Sequence, residues 1–274
     1  MAPRRRLDAE LVRRGLAPSR EAARSAVLDG RVRVAGAPAQ KPDRLVAPGD
    51  PIVLVGPPPR YVSRGGHKLE AALARFGIDP DGLRAIDVGS STGGFTDCLL
   101  QRGAVEVVAL DVGRNQLHER LRADDRVAVH EQTNVRQVDV ADLGGPAPLV
   151  VTDLSFISLR TVFEALLSLL APGGQIVALV KPQFEAGRAD VSRGKGVVSD
   201  PAVWRRVLGD VQSHALSHRA AMMEVMVSPI TGADGNVEFL ARIARVDERA
   251  DARAPLDDTA LDAVVAEATR EADR

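Results

Sequence analysis

The chain has 274 residues, of which 45% are hydrophobic and only 3% aromatic, and its formal net charge is −1. A single cysteine, Cys98, excludes a disulfide framework and a cysteine zinc site, and five scattered histidines predict no metal. No apolar run approaches the roughly 18 residues that span a bilayer. No apolar signal core follows the basic residues Arg4–Arg6. We therefore expect a cytoplasmic protein without a membrane segment.

The charge is unevenly distributed along the chain. Residues 1–60 contain twelve basic and six acidic side chains, a net charge of +6, so the remainder carries −7. A basic end on an otherwise acidic chain predicts an attached module that binds a polyanion. The alternative is a solvated surface in a chain that favours arginine everywhere. That bias does not explain why the positive charge is concentrated at one end of the chain.

The first sixty residues predict a small α+β domain. Two short helices are indicated before Gly30, the second with Ser19 as its N-cap. Alternating residues then predict strands at 31–34 and 51–55. Two short helices and a small β element with exposed arginines are typical of compact RNA-binding domains.

Residues 4–55 resemble the small RNA-binding domain first described in a ribosomal small-subunit protein and shared by pseudouridine synthases and tyrosyl-tRNA synthetases. The matching residues are Leu11-Val12-Arg13-Arg14-Gly15-Leu16, Ser19-Arg20, Ala23, Gly30-Arg31-Val32-Arg33-Val34, Gly36 and Gly49-Asp50. The proline-rich stretch 57–60 predicts a stiff linker, which divides the chain into domains 1–56 and 61–274.

From residue 85 the patterns of strands and helices alternate, as in a doubly wound parallel sheet. The last two predicted strands, 223–227 and 237–243, are joined by a segment too short for a helical crossover, so they should be antiparallel. A mostly parallel seven-stranded sheet with an antiparallel last strand is the Rossmann-like architecture of class I S-adenosylmethionine (SAM) methyltransferases.

A glycine-rich turn follows the first strand of this sheet, from Asp87 to Asp97. The dinucleotide spacing G-x-G-x-x-G is absent, which argues against a nicotinamide or flavin. Asp87 and Asp111 stand at the ends of successive strands, and a carboxylate in the second position suits the hydroxyls of a ribose. These features favour SAM, a nucleoside cofactor without a pyrophosphate; a merely connecting turn is the alternative.

Four further polar residues lie near strand ends or helix starts: Lys68, Asp153, Lys181 and Glu238. Each alone is most simply a solvated or capping residue. Converging on one cleft, two lysines and two acids would position one another and suit methyl transfer to a weakly acidic hydroxyl. Base amino-group methylation typically uses Asn/Asp-Pro-Pro-Tyr/Phe, whereas this chain has Asp153-Leu-Ser-Phe, and Cys98 lies away from the position that carbon methylation requires.

Residues 61–243 resemble the FtsJ-type ribose 2′-O-methyltransferases, and the whole chain resembles the TlyA family, once called haemolysins. The matching strings are Tyr61–Glu70, Asp87–Asp97, Asp153–Leu159, Val180–Glu185, Ser228-Pro229 and Gly235–Glu238. The resemblance implies SAM-dependent 2′-O-methylation of cytidines in ribosomal RNA. Members with a complete basic N-terminal helix, which Arg4–Leu16 is expected to supply, act on RNA of both subunits.

Site residues follow from this resemblance by position. The catalytic tetrad is Lys68, Asp153, Lys181 and Glu238. The cofactor contacts are Asp87, Gly89, Ser91, Gly93, Gly94, Phe95, Asp111, Asn134 and Val135. The expected RNA contacts are Arg4, Arg5, Arg6, Arg13, Arg14, Arg20, Arg31, Arg33, Arg64, His67 and Arg188.

The sequence is compatible with more than one role for three further features. Tyr61, Phe156 and Phe184 are candidates to stack on a splayed base, although core packing is favoured for Phe156. The segment 186–196 is expected to be a loop that contacts phosphates or is simply solvated. A monomer that binds ribosomal RNA or ribosomal subunits is expected; the alternatives to an enzyme are a non-catalytic assembly factor and a pore-forming haemolysin.

Overall fold

The computed structural model describes residues 4–17, 19–57, 59–194, 196–232, 235–246 and 254–272. The chain forms two compact units, Met1–Arg64 and Gly65–Arg274.

The first unit is a small α+β structure around an aliphatic core. Its elements are β1 (Arg5–Arg6), α1 (Leu7–Arg13), α2 (Arg20–Leu28), β2 (Val32–Val34), β3 (Ala37–Pro38), β4 (Leu45–Val46) and β5 (Ile52–Leu54). The Ser19 hydroxyl accepts a hydrogen bond from the Ala22 N–H, so the predicted N-cap of α2 is confirmed. Leu7, Leu11 and Val32 are fully buried in the core between the helices and the strands.

The basic N-terminal helix is shorter than the sequence predicts. Arg5 and Arg6 form a strand that pairs antiparallel with β4, and α1 begins only at Leu7. The expectation of a helix from Arg4 was therefore wrong. The physical reason is local, because Arg5 and Arg6 have exchanged helical hydrogen bonds for pairing with Leu45 and Val46.

The second unit alternates strands and helices. Its elements are α3 (Gly65–Phe76), β6 (Arg84–Val88), α4 (Gly94–Gln101), β7 (Glu106–Leu110), α5 (Glu119–Arg122), β8 (Val127–His130), a 3₁₀ helix (Val140–Leu143), β9 (Ala147–Thr152), α6 (Leu159–Ser168), β10 (Leu170–Val180), α7 (Pro182–Glu185), α8 (Arg188–Arg193), α9 (Pro201–Ser217), β11 (Ala220–Val227), β12 (Phe239–Arg245) and α10 (Asp258–Ala272).

The described strands of this unit form a seven-stranded sheet in the order β11-β12-β10-β9-β6-β7-β8. Pairing is parallel from β10 through β8, whereas β12 runs antiparallel to both of its neighbours. The predicted Rossmann-like sheet with an antiparallel last strand is confirmed. Because β12 lies between β10 and β11, its first residue, Phe239, pairs with Val180 at the end of β10.

Both faces of the sheet are covered, as a parallel sheet requires. Ile86 and Val88 pack in a core cluster with residues of α6, α9 and α10. Ala85 and Val107, which alternation directs to the opposite face, are equally buried. The carboxyl ends of β6, β7, β9 and β10 consequently meet at one edge, where open α/β sheets bind their ligands.

One local prediction in this unit was inaccurate. The predicted loop 186–196 contains the short helix α8. Among the described residues, no helix is long and apolar enough to cross a membrane.

Candidate active site

The turn after β6 has a backbone conformation that favours glycine. Gly89 and Gly93 have φ values of 83° and 95°, and Ser91 between them has φ 46°. A Cβ on Gly89 would lie 3.0 Å from the Asp153 carbonyl oxygen, and a Cβ on Gly93 would overlap the side chain of Leu121. Both glycines are therefore required, one by close approach to β9 and one by packing against α5.

Asp87 supports this turn from behind. Its side chain is fully buried, and its Oδ2 accepts hydrogen bonds from the Thr96 N–H at 2.9 Å and the Thr96 hydroxyl at 2.7 Å. The Oδ1 atom has no hydrogen-bond partner among the described residues. Burial, together with the charge of Asp153, outweighs the Thr96 hydrogen bonds and raises the pKa of Asp87 to about 7.

Asp111 fixes the next turn. Its Oδ2 accepts from the Ser91 N–H at 2.8 Å, and its Oδ1 accepts from the Gly113 N–H at 2.6 Å. The carboxylate thus ties the glycine-rich turn to the end of β7 and retains free acceptor positions on both oxygens.

A cavity of about 470 Å³ opens at this edge of the sheet. Its walls include Gly89, Ser91, Asp111, Asn134 and Val135, together with Asp153. Five of the predicted cofactor residues therefore line one cavity. The other predicted cofactor residues, Asp87, Gly93, Gly94 and Phe95, are buried and are not part of its wall.

The four predicted catalytic residues form two ion pairs. Lys181 Nζ lies 2.5 Å from Asp153 Oδ1 and donates to the Ser155 hydroxyl at 3.1 Å. Lys68 Nζ lies 2.5 Å from Glu238 Oε2, and both of these side chains are buried. Asp153 follows β9, Lys181 follows β10, and Glu238 precedes the reversed strand β12, so all three come to the same edge of the sheet.

A residue that the sequence did not single out holds the Lys68–Glu238 pair. Gln183, on the short helix after Lys181, donates from Nε2 to Glu238 Oε1 at 3.2 Å. Glu238 is held on both oxygens, by Lys68 and by Gln183. A Cβ on Gly232 would lie 2.6 Å from Glu238 Oε1, so this glycine leaves room for the carboxylate.

Core packing of Phe156 was the wrong prediction. Its side chain is 91% exposed on the wall of the cavity, and its backbone φ of 66° lies in the left-handed region. The ring centroid lies 5.3 Å from that of Phe184, whose ring in turn lies 5.7 Å from Lys181 Nζ. A large apolar side chain held exposed in an unfavourable backbone conformation is characteristic of a binding surface. Tyr61, the third aromatic candidate, is buried.

Several predicted RNA contacts also support the fold of the first unit. Asp8 and Glu10 are buried acids on α1; Asp8 pairs with Arg6 and Arg20, and Glu10 with Arg13 and Arg14. The hydrogen bonds of Arg6 and Arg20 outweigh desolvation and lower the pKa of Asp8 to about 2. Hydrogen bonds from Arg13 and Arg14 lower the pKa of Glu10 to about 2.

The predicted RNA contacts differ in their exposure and in their partners within the fold. Arg14 also donates to the carbonyl oxygens of Asp50 and Pro48, which commits its guanidinium to the fold. Arg64 lies 4.0 Å from Asp29 at the end of α2. The exposed positions are Arg4, Arg5, Arg6, Arg13, Arg20, Arg33 and His67, whereas Arg31 is half-buried. The side chain of Arg188 lies outside the described residues.

The seven-stranded sheet, the glycine-rich turn and the cavity define a Rossmann-like methyltransferase. The family model described as FtsJ-like methyltransferase matches residues 61–245, and the model described as S4 domain matches residues 5–52. The chain belongs to the FtsJ-like methyltransferase family and carries an N-terminal S4 domain.

Several known proteins are similar to this chain over most of its length. The 16S/23S rRNA (cytidine-2′-O)-methyltransferase TlyA of Mycobacterium tuberculosis is 47% identical over 251 residues, 91% of this chain and 93% of that protein. Hemolysin A of Brachyspira hyodysenteriae is 39% identical over 86% of this chain and 98% of its own length. A solved structure, described as a haemolysin of Streptococcus thermophilus, has a TM-score of 0.77 and 41% identity over 99% of this chain and 98% of its own.

Proposed function

We propose that this methyltransferase transfers a methyl group from SAM to the ribose 2′-hydroxyl of cytidines in the ribosomal RNA of both subunits, in the cytoplasm. The main support for this proposal is the presence of two ion pairs, Lys181–Asp153 and Lys68–Glu238, at the sheet edge beside the cofactor-sized cavity. The relative named for this activity is 47% identical over most of both chains.

The cavity suits SAM in size and chemistry. Its volume of about 470 Å³ falls within the range of small-molecule sites. Asp111, with free acceptor positions, would hold the ribose hydroxyls, and the Asn134–Val135 segment would flank the adenine. Exposed Val112 would give the adenine an apolar wall. When bound, SAM supplies the methyl group on a positively charged sulfur, which makes that methyl electrophilic.

The chain itself would orient the hydroxyl and stabilise the charge that develops on its oxygen. Lys181 is the lysine that contacts residues of the cofactor cavity, through Asp153 and Ser155. We assign Lys181 Nζ to the 2′-oxygen, where an N–H donor stabilises the negative charge that develops on this oxygen as the hydroxyl proton is released to solvent and the O–CH₃ bond forms. Asp153 fixes the position of the Lys181 side chain, and the Lys68–Glu238 pair would hold the substrate ribose.

Substrate binding would combine two surfaces. The exposed arginines of the S4 domain, such as Arg5 and Arg33, supply sequence-independent contacts to phosphates. Phe156 offers an exposed ring beside the cavity on which a base splayed out of the RNA can stack. A ribose within folded RNA has to be exposed in this way before its 2′-oxygen reaches Lys181.

The decisive test replaces Lys181 with methionine, which keeps the length of the side chain but removes its charge. We expect transfer of labelled methyl groups to purified ribosomal subunits to fall by at least about 10²-fold. SAM affinity, measured by calorimetry, should change little because Lys181 does not line the cofactor cavity. Unchanged turnover would contradict the assignment of Lys181.

The wild-type chain in the same assay separates the proposal from its rivals. Binding of subunits without methyl transfer would indicate an assembly factor. Leakage from liposomes at the concentrations that saturate methylation would instead support the haemolysin hypothesis. Mass mapping of ribosomal RNA with and without the protein then identifies the modified nucleotides.

A further inference from the structure

A second cavity, of about 330 Å³, lies next to the cofactor cavity. The two cavities share Phe156 and Ile157, and the second is completed by residues that include Gln183, Phe184 and Val191. Aromatic and aliphatic side chains therefore form most of its wall, with the Gln183 amide as a polar group among them. Lys181 and Asp153 do not line this cavity, so it is distinct from the reacting centre although adjacent to it.

Gln183 is the connection between this cavity and the catalytic residues. Its Nε2 donates to Glu238 Oε1 at 3.2 Å. That bond determines which way round the amide lies, because a carboxylate can only accept and so must face the NH₂ end. The Oε1 end is consequently an acceptor, and it is buried without a hydrogen-bond partner among the described residues.

A buried acceptor without a donor lowers stability, and a ligand that supplies the donor relieves that penalty. Gln183 lines the second cavity, and the terminal torsion of glutamine is broad, so rotation about it can turn Oε1 toward a ligand there. Of the two pyrimidines, cytosine has an amino group at position 4, which donates, whereas uracil has a carbonyl oxygen there, which accepts. Gln183 Oε1 is complementary to cytosine and repels uracil.

We propose that the second cavity binds the base of the nucleotide whose ribose is methylated, and that Gln183 selects cytosine by accepting a hydrogen bond from its 4-amino group. This inference rests on the proposed function. Gln183 is then both a specificity residue, through Oε1, and a positioning residue for Glu238, through Nε2. The apolar walls from Phe184 and Val191 enclose the base faces, and recognition of the base becomes coupled to the arrangement of the catalytic pairs.

The test compares three RNA fragments that differ only at the methylated nucleotide, which carries cytosine, uracil or pyrimidin-2-one. The last lacks the 4-amino group and has no other group in its place. For the wild-type chain we expect kcat/KM to be at least about tenfold higher for cytosine than for either analogue, since loss of one hydrogen bond from a buried group has this effect.

Two substitutions separate the two ends of the amide. Gln183→Met removes both, so the rate should fall and the preference for cytosine should decrease to near unity. Gln183→Glu keeps an acceptor but loses the donor to Glu238, so the rate should fall while the preference persists. Gln137→Met, a matched change at an exposed glutamine, should leave both the rate and the preference unchanged.

The outcomes are distinguishable. If Gln183→Met reduces the rate equally for all three RNAs and keeps the wild-type preference, Gln183 only positions Glu238 and the inference is overturned. If the wild-type chain methylates the cytosine and uracil RNAs equally, base selection by this cavity is refuted while the proposed function stands. If it methylates none of the RNAs or subunits, the proposed function itself fails.

Discussion

At the scale of single residues, Asp87 shows how the site places a carboxyl group without exposing it. The side chain contributes nothing to the cavity wall, but it holds Thr96 and thereby the start of α4. Its other oxygen is buried without a partner among the described residues, and burial raises its pKa to about 7. The folded chain therefore retains a proton on Asp87 at pH values where an unfolded chain has lost it.

This difference predicts the sign of a pH effect. Between about pH 4 and 7 the folded state binds more protons than the unfolded state at this position, so the free energy of unfolding falls as pH rises. The contribution amounts to at most about 4 kcal/mol over that interval. Asp87→Asn, which cannot titrate, should flatten the decline. Urea unfolding followed by the fluorescence of buried Trp204 between pH 5 and 8 checks this.

A matched control is Asp125→Asn, because Asp125 is an exposed acid on the same unit. This variant should keep the wild-type pH dependence. If the free energy of unfolding of Asp87→Asn fell with pH as steeply as that of the wild-type chain, the pH dependence would come from another group.

Individual residues of the site show which features could be predicted from the sequence and which could not. Lys68, Asp153, Lys181 and Glu238 could be assigned because each stands at a strand end or helix start within a distinctive string. Their pairing could not, since side-chain partners depend on the order of strands in the sheet. Phe156 was misjudged because an aromatic residue between Ser155 and Ile157 has the local pattern of a core position, and only the left-handed backbone turns it outward.

At the scale of elements, α1 combines an apolar face with a network of charges. Asp8 and Glu10 are buried acids whose pKa values are lowered to about 2, and arginines from α1, β1 and α2 surround them. A lowered pKa contributes stability above the unfolded value of about 4, and that stability is lost as pH falls through about 2. The arginines that the sequence assigned to RNA therefore also stabilise the helix.

We accordingly expect α1 to open selectively in acid. Hydrogen exchange of peptides covering residues 5–17, corrected for the intrinsic effect of pH, should show protection falling between pH 4 and pH 2. In Glu10→Gln, which removes one titrating group, protection should be lower at pH 7 and fall less steeply. Wild-type protection of α1 that persists unchanged to pH 2 would contradict the role of these acids.

At the scale of the whole molecule, charge and chemistry are carried by different parts of the chain. The net charge of +6 lies in residues 1–60, whereas the two ion pairs of the predicted catalytic residues and both cavities belong to the second unit. Sequence could predict this division, because composition and strand periodicity are properties of long segments. Affinity for RNA and the rate of methyl transfer should therefore respond to separate sets of substitutions.

Substitution of two exposed arginines tests that separation. Arg5→Ala combined with Arg33→Ala should weaken binding to a ribosomal RNA fragment and reduce the slope of log affinity against log salt by about 1 for each phosphate that is no longer neutralised. SAM affinity should not change. Arg270→Ala, which removes one positive charge at an exposed position of α10, serves as control and should preserve the slope. An unaltered slope in the double variant would show that these arginines do not bind phosphates.

The position of the reversed strand β12 has a consequence for folding of the chain during its synthesis. Lys68 and Glu238 are 170 positions apart in sequence, and β12 must enter between two strands that are synthesised earlier. Until it does, β10 has an open edge and β11 lacks its described partner. A nascent or prematurely terminated chain is therefore inactive and also exposes unpaired strand edges, the feature that promotes aggregation and engages chaperones. Insertion of β12 therefore completes the catalytic residues and pairs the exposed strand edges in the same step of folding.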